Sequence, residues 1–168
     1  MIIVTIVIVN IVTITSLGGT LKMNNKEENL GYLLNKATRM LKGKFNEKLK
    51  EYHLTASQWA VLKDVTIQEE MDEKLKDTSP AAISHRLYVN RPTMTGIIER
   101  LVKGEWVEAK TNLEDRRSQI ISLTEKTKCI IEELDTLGDE AVEQALQGFN
   151  SEDVNRFKVY LQNMIENL

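Results

Sequence analysis

The hydrophobic pattern of residues 78–123 predicts two short helices and a two-stranded ribbon, and the rest of the chain is organised around them. In the second helix, apolar residues recur at i, i+3, i+4 and i+7, so one stripe of this helix faces a core. These residues are Met94, Ile97, Ile98 and Leu101. Asn90 is a good N-cap, the proline that follows is favourable in a first turn, and Gly104 ends the helix.

The elements around this helix follow from caps and turn residues. Ser79 caps the first helix, which has a proline in its first turn, and residues 88–90 form the tight turn between the two helices. Residues 106–111 and 118–123 have the composition of strands. The polar segment 112–117 lies between them and predicts the turn of a hairpin.

The outer surface of the second helix carries hydroxyl groups and positive charges. Its polar residues are Arg91, Thr93, Thr95, Arg100 and Lys103, with Glu99 as the only acid among them. Guanidinium and hydroxyl groups near the N-terminal end of a short helix suit hydrogen bonding to base edges in DNA. The pattern therefore predicts that this helix enters a major groove, although Gly96 offers no side chain for a base contact.

Two adjacent arginines occupy the tip of the predicted hairpin. Arg116 can enter a minor groove, while Arg117 either contacts a phosphate or pairs with Asp115 and holds the tip together. We expect Asp115 to orient an arginine by pairing with its guanidinium group. Ser118 either donates a hydrogen bond to a phosphate or only begins a strand. The tip thus predicts a second DNA contact beside the helix.

Three segments carry a resemblance to one family. Residues 91–107 read R-P-T-M-T-G-I-I-E-R-L-V-K-G-E-W-V, and residues 112–127 read N-L-E-D-R-R-S-Q-I-I-S-L-T-E-K-T. Upstream, residues 54–62 read L-T-A-S-Q-W-A-V-L. In order and spacing these segments resemble the winged helix-turn-helix core of the MarR family of bacterial transcription regulators, whose most specific local signature is the D-R-R tip followed by L-T. The resemblance covers roughly residues 25–168.

The resemblance implies a mainly α fold, of the α+β class, with the order α-α-α-α-β-β-α-α. The winged helix-turn-helix then spans about residues 54–123 within a single domain, residues 23–168. Helices at about 26–52 and 125–168 form a dimerisation layer, and Thr124 and Ser151 are the candidate caps of the last two helices. The first of these helices is amphipathic and has little of its own domain to pack on, so we expect burial against a second subunit. The alternative is an ordinary helix packed within one chain.

The function implied is that of a sequence-specific, homodimeric transcription regulator, usually a repressor, which binds a pseudo-palindromic operator in double-stranded DNA. The candidate DNA-binding residues are Arg86, Asn90, Arg91, Thr93, Thr95, Arg100, Asp115, Arg116, Arg117 and Ser118. Arg86 lies close to a phosphate in this interpretation and is otherwise a surface arginine. The resemblance implies no cofactor, but a small aromatic or phenolic effector in the cleft between the dimer layer and the DNA-binding lobe. Trp59, Tyr52, Tyr32 and Phe45 suit that cleft and the core equally well.

Charge is distributed unevenly along the chain. The 168 residues carry a net charge of −3 with 42% hydrophobic residues, which is ordinary for a globular domain. Between residues 84 and 117, seven Lys and Arg stand against five Asp and Glu, which leaves a balance of −5 for the remainder. A mildly basic face on an acidic body fits a protein that binds DNA through one surface. The charged segment 68–77 is predicted to be solvated surface.

Residues with reactive side chains are sparse. Cys129 is the single cysteine and has apolar neighbours on a predicted helix, so we expect a buried, inert thiol. A redox-responsive regulator acting through Cys129 is the alternative, and a winged-helix module that binds protein is another. His53 and His85 lack the spacing of a metal site. Without a phosphate-binding glycine loop or a nucleophile elbow, the sequence predicts no enzyme.

Residues 1–22 are predicted to be an atypical apolar extension. Residues 1–17 are rich in Ile and Val but shorter than the ~20 residues of a membrane-spanning helix. They also lack the basic start and the cleavage pattern of a secretory signal. We favour a native protein that begins at Met23; the alternatives are a membrane anchor, or a strand or helix packed on the domain. We therefore expect a cytoplasmic protein without membrane contact, unless residues 1–17 are native and inserted.

Overall fold

The computed structural model describes residues 29–72, 76–113 and 115–168, so the predicted extension lies outside the described residues. The elements are α1 (Leu30–Leu49, continued by a 3-10 turn at Lys50–Tyr52), α2 (Ala56–Glu69), α3 (Pro80–Arg86), α4 (Arg91–Lys103), β1 (Val107–Thr111), β2 (Gln119–Leu123), α5 (Glu125–Ala145) and α6 (Ser151–Glu166). This order confirms the predicted mainly α fold, in which a small ribbon separates four helices from two.

Each α-helix in the described part of the chain begins at a residue whose side chain accepts a backbone N–H three positions later. The cap residues are Asn29, Thr55, Ser79, Asn90, Thr124 and Asn150. The caps predicted at Ser79, Asn90 and Thr124 are confirmed. The cap predicted at Ser151 is wrong, because Asn150 Oδ1 accepts the N–H of Asp153 at 2.9 Å and Ser151 is already helical.

Gly104 ends α4 for a steric reason. Its φ of −84° is open to any residue, and the left-handed conformation belongs to the next residue, Glu105, with φ 58°. A Cβ atom on Gly104 would lie 2.7 Å from Cδ1 of Trp106. Glycine is therefore needed here because the indole ring packs against the end of the helix.

Part of the core is built around an aromatic contact that joins α1, α2 and α5. Phe45 of α1 and Trp59 of α2 meet edge to face, with ring centroids 4.9 Å apart and planes at 86°. Gly138 of α5 lies against both rings, since a Cβ there would be 3.5 Å from Phe45. From this point the core continues through buried residues of α3, α4 and the ribbon: Ile83, Met94, Leu101, Val107 and Ile121.

The ribbon is an antiparallel pair that is also tied to the helices below it. Its register runs from Val107 opposite Leu123 to Thr111 opposite Gln119. On the other side of β2, the Leu123 N–H donates to Glu69 Oε1 at 2.9 Å and the Ile121 N–H donates to the carbonyl of Thr78 at 3.3 Å. The base of the wing is therefore anchored by the end of α2 and by the residue before Ser79.

The prediction that segment 68–77 is solvated surface is wrong at its start. Gln68 is buried, and its side-chain oxygen accepts the backbone N–H of Asp77 at 3.2 Å. The amide thus closes the loop that leads from α2 to α3. Glu69 is likewise used internally, since its carboxylate binds the wing.

The first and last described helices leave apolar side chains uncovered. Along α1, Leu30, Leu33 and Met40 are exposed. In α6 no residue is buried, and Phe157 and Tyr160 are exposed although the helix is amphipathic. None of the helices in the described part of the chain combines the length and the apolar character needed to cross a membrane.

Candidate nucleic-acid interface

Helix α4 presents the predicted polar face to solvent. Its apolar stripe is buried as predicted, while Arg91, Thr93, Thr95 and Arg100 are exposed. Asn90 is also exposed, but its side-chain oxygen accepts the Thr93 N–H at 2.9 Å. That oxygen is therefore committed to capping α4, which fixes where the helix begins.

Two features determine which hydrogen-bonding groups this face of α4 presents to a ligand. The Thr95 hydroxyl donates to the carbonyl of Arg91 at 3.0 Å, which leaves its oxygen free to accept a bond from a ligand. The space left by Gly96 is used by Arg100, because a Cβ on Gly96 would lie 3.8 Å from both terminal nitrogens of that guanidinium. The glycine removes one side chain from the face and leaves room for another.

The wing tip is shaped by Asp115, though by a different contact from the one predicted. Asp115 Oδ1 accepts the backbone N–H of Arg117 at 3.0 Å, and its carbonyl accepts the Ser118 N–H at 2.9 Å. In the described part of the chain Asp115 has no ion pair with either arginine, so the prediction that it holds a guanidinium fork is wrong. The short side chain stabilises the turn itself, and both arginines remain exposed to solvent.

The positive groups of α4 and the wing tip are without carboxylate partners. Arg91, Arg100, Lys103, Arg116 and Arg117 form no ion pair among the described residues, although other cations there are paired. Their charge is therefore available to an anion from outside the chain.

Arg86 differs from these residues. Its Nε and Nη2 donate to the two carboxylate oxygens of Asp64 at 2.9 and 2.7 Å, in a bidentate pair that ties α3 to α2. The Asp64 side chain is 9% exposed and that of Arg86 28%. The predicted phosphate contact of Arg86 remains a prediction, but its guanidinium already has a structural partner.

Sequence reasoning missed this pair and its neighbour. Lys63, next to Asp64 on α2, forms a salt bridge to Asp135 of α5, and the Trp59 indole N–H donates to the same carboxylate at 3.2 Å. The adjacent residues Asp64 and Lys63 of α2 thus bind α3 on one side and α5 on the other. The available signal was a Lys-Asp pair inside an otherwise apolar run, residues 60–65.

A groove of about 540 Å³ separates α4 from the wing. Thr95, Glu99 and Lys103 line it from the helix, and Ala109 and Gln119 line it from the ribbon. The groove is therefore bordered by α4 on one side and by the ribbon on the other.

The four aromatic residues predicted for either the effector cleft or the core lie in different environments. Phe45 and Trp59 are buried in the core, whereas Tyr32 is exposed. Tyr52 is half-buried, and its hydroxyl donates to Glu133 of α5 at 2.5 Å. This hydrogen bond to a carboxylate raises the pKa of Tyr52 above its usual value of 10.0, with smaller contributions from desolvation and from the charges of Glu133 and Glu51.

The prediction of a buried Cys129 is wrong. The thiol is exposed, because it lies on the outer side of α5, whose inner side carries Thr127, Ile131 and Leu134. The redox alternative stays a prediction, which loss of an oxidant response in Cys129→Ser with retained DNA binding would support. Within the described residues, no group of three or more His, Cys, Asp or Glu could hold a metal ion.

Comparisons with known proteins agree with this architecture. Residues 44–134 match the family of the transcriptional regulators SarA and Rot. The HTH-type transcriptional regulator YwoH of Bacillus subtilis (strain 168), itself uncharacterized, is 30% identical over 135 residues, which cover 80% of this chain and 93% of YwoH. These matches concern transcriptional regulators.

Solved structures show the same fold at lower identity. A mutant of MarR from E. coli, complexed with operator DNA, has a TM-score of 0.71 at 23% identity and covers 86% of this chain and 99% of its own. CouR from Rhodococcus jostii RHA1, bound to p-coumaroyl-CoA, has a TM-score of 0.71 at 18% identity, with coverage of 84% and 95%. With the family match and the winged helix-turn-helix described above, the chain belongs to the SarA/Rot family of transcriptional regulators and has the fold of the solved MarR and CouR structures.

Proposed function

We propose that the protein acts as a homodimeric, ligand-responsive repressor that places α4 of each subunit in a DNA major groove and each wing tip in a neighbouring minor groove. The observation that carries this proposal is the set of exposed cations on α4 and the wing tip that form no ion pair among the described residues. On α4 they accompany exposed hydroxyl groups, whereas Arg86 is paired inside the subunit. Phosphate charge is what such a face attracts.

On α4 the proposed contacts come from Arg91, Thr93, Thr95 and Arg100. A guanidinium group can donate two hydrogen bonds to guanine, and a hydroxyl can bind either a base edge or a phosphate. Arg100 lies over Gly96, close to the centre of the exposed face. We leave Asn90 out of the direct contacts because its side-chain oxygen caps the helix.

At the wing we assign Arg116 to the minor groove and Arg117 to a phosphate. The hydrogen bonds of Asp115 fix the backbone of the turn without neutralising either guanidinium. Arginine is favoured in narrow minor grooves, where the negative potential is enhanced. Ser118 is the candidate for an additional phosphate contact.

The homodimer is supported by the uncovered apolar faces of α1 and α6. An exposed apolar face on a helix commonly marks an interaction surface. Two-fold symmetry would then place two recognition helices on a pseudo-palindromic operator, with half-sites about 34–36 Å apart or a multiple of that distance.

A ligand response is proposed from similarity and from the fold. CouR, which has the same fold, was solved with p-coumaroyl-CoA bound. For this chain we propose a small aromatic or phenolic effector in the cleft between the terminal layer and the winged unit. Such a ligand releases DNA only to the extent that it prefers a spacing of the two recognition helices that does not fit the operator.

The test uses Arg116→Ala and a matched surface control, Arg156→Ala, whose guanidinium pairs with Glu152 on α6. A duplex recovered by selection from random DNA is titrated at several salt concentrations. We expect Arg116→Ala to weaken binding and to reduce the slope of log affinity against log salt by about one for each subunit, and so by about two for the proposed dimer, whereas Arg156→Ala changes neither. An unchanged slope for Arg116→Ala removes this residue from the interface, and wild-type protein without salt-sensitive binding favours a protein-binding module instead.

A further inference from the structure

The turn between α3 and α4 contains an unusual residue. Tyr88 has φ 51°, in the left-handed region where glycine is favoured and an aromatic side chain is strained. Turns of this kind often contain a glycine. The Tyr88 side chain is nevertheless 67% exposed, so burial of the ring does not compensate for the strained backbone.

The backbone around Tyr88 is held from both sides. The Tyr88 N–H donates to the carbonyl of His85 at 3.2 Å, and the Val89 N–H donates to that of Ser84 at 3.0 Å. The hydroxyl of Ser84, a buried residue, donates in turn to the carbonyl of Val89. These bonds fix the direction in which the tyrosine ring leaves the protein.

The ring lines a shallow, mostly apolar hollow. Tyr88 and His85 stack with centroids 6.5 Å apart and planes at 22°. They line a concave surface of about 460 Å³ together with Asn90 and Arg91. None of the lining residues is acidic, and neither the Tyr88 hydroxyl nor the Arg91 guanidinium has a partner among the described residues. The hollow thus combines a neutral donor with a cation at the start of α4.

We infer that Tyr88, His85 and Arg91 form a seat for a phosphate of the DNA backbone at the edge of the major groove. This inference rests on the proposed DNA-binding function and adds to it a third point of contact besides the face of α4 and the wing. A phosphate accepts hydrogen bonds from phenol, imidazole and guanidinium groups, and it is favoured near the positive end of a helix. Because phosphates carry no sequence information, these contacts position the protein on any duplex.

The position of the seat gives it a mechanical role. Arg91 is the first residue of α4, and Asn90 caps the same helix. A phosphate held here fixes how deeply the N-terminal end of α4 enters the groove. The stacked rings keep the tyrosine in place before DNA arrives, so little side-chain freedom is lost on binding.

Substitution of Tyr88 by glycine tests the effect of the ring on DNA binding without lowering the stability of the fold. Tyr88→Gly removes the ring but relieves the left-handed strain, so we expect a thermal unfolding temperature no lower than that of the wild type. The matched control is His53→Gly, because His53 is also exposed and has φ 54° but lies between α1 and α2. His85→Ala, on the exposed side of α3, is a second test that leaves the turn intact.

The probe is a fluorescein-labelled duplex of mixed sequence and about 30 base pairs, long enough for two half-sites, titrated at low and moderate salt. Because the lost bond is from a neutral donor to a charged acceptor, Tyr88→Gly should weaken binding about tenfold at every salt concentration without changing the salt slope. Arg91→Gln should instead lower that slope by about one for each subunit, and so by about two for the proposed dimer. His85→Ala should weaken binding about three- to tenfold, and His53→Gly should have no effect.

The outcomes distinguish the inference from the function on which it rests. If wild-type protein binds the duplex with a normal salt slope while Tyr88→Gly and His85→Ala bind equally well, the phosphate seat is wrong and the DNA-binding proposal stands. A loss confined to a selected operator, absent on mixed sequence, would mean that Tyr88 reads a base and would also overturn the inference. Wild-type protein that binds no duplex would overturn the proposed function itself.

Discussion

The winged helix-turn-helix unit, residues 54–123, and the terminal helices α1 and α6 differ in how completely one chain buries their apolar side chains. In the unit, Ile83, Met94, Leu101 and Ile121 are almost inaccessible to solvent. In α6 no residue is buried, and the first half of α1 is largely exposed. The buried side chains of the unit share one core with Phe45 and Leu49 of α1 and with Leu134 of α5. By contrast, α6 and the first half of α1 have amphipathic faces that the described part of one chain leaves open.

This difference separates the stability of the folded subunit from the stability of an assembly of subunits. Burial in the winged unit favours folding of the single subunit, at about 25 cal/mol per Å² of apolar surface. Under the proposed function a second copy of the chain buries the apolar faces of α1 and α6, so their contribution to stability should depend on protein concentration. The cations proposed to contact DNA lie in the winged unit, and the proposed dimer contact of α1 and α6 would set the spacing of two such units.

The largest expected effect comes from one substitution made in each region. Leu101→Ala in the core of the winged unit should lower the free energy of unfolding by about 2–5 kcal/mol, through lost burial and a cavity. Leu33→Ala on α1, where the side chain is 45% exposed, should change subunit stability by less than about 1 kcal/mol and weaken self-association. Chemical denaturation at several protein concentrations, combined with sedimentation, measures both quantities.

A sedimentation profile that stays monomeric at all concentrations would break this comparison. It would mean that α1 and α6 are covered by something other than a second copy. A wild-type unfolding midpoint that rises with concentration, and rises less in Leu33→Ala, would sharpen it.

The next effect concerns the link between α2 and α3. Asp64→Ala leaves the Arg86 guanidinium without its bidentate partner, and because that arginine is partly exposed we expect a loss of about 2 kcal/mol. Arg86→Met removes the positive charge of the pair instead. The double variant should lose less free energy of unfolding than the two single variants lose in sum. A cycle of unfolding measurements gives the coupling. Additive losses would show that the pair contributes nothing beyond its separate side chains.

These pairs also show where sequence patterns stop being informative. The stripe of α4 and the cap at Asn90 depend on residues three or four positions apart, so they could be predicted from local spacing. The partner of Asp64 lies 22 positions away, and that of Lys63 lies 72 positions away. Such contacts depend on how the helices pack, which no local pattern encodes.

The same reasoning explains two wrong predictions at the candidate site. Apolar neighbours in the sequence suggested burial of Cys129, but on α5 the side of the helix is set by the core around Leu134. Asp115 lies next to two arginines in the sequence, yet its carboxylate accepts the backbone N–H two residues later instead of a guanidinium N–H. The DNA-facing residues were identified from their chemistry, and their contacts to DNA remain predictions.

A glycine-to-alanine substitution in each region should change the stability by a smaller amount. Gly104→Ala in the winged unit would place a Cβ 2.7 Å from Trp106, and we expect a loss of about 1–3 kcal/mol. Gly43→Ala in α1 meets nothing within 4 Å in the subunit and should stabilise the helix by about 0.5–1 kcal/mol. Thermal unfolding of both variants measures the difference. A loss for Gly43→Ala that grows with protein concentration would place a second copy against this side of α1.

The smallest effect concerns a contact between two helices that flank the winged unit, the hydrogen bond from Tyr52 at the end of α1 to Glu133 of α5. This bond favours the neutral phenol and raises the pKa of Tyr52 in the folded protein above 10.0. Its contribution to stability is therefore fully present below about pH 10 and is lost as the pH rises through the raised pKa. Phenolate absorbance, with Tyr52→Phe subtracted to isolate this residue, follows the titration. Glu133→Gln should return the midpoint toward 10.0, because the amide removes both the charged acceptor and the repulsion of a phenolate. If the midpoint in wild-type protein already lies at 10.0, Tyr52 does not bind Glu133 in solution, and α1 is joined to α5 without this bond, by packing and by the salt bridge from Lys48 to Glu140.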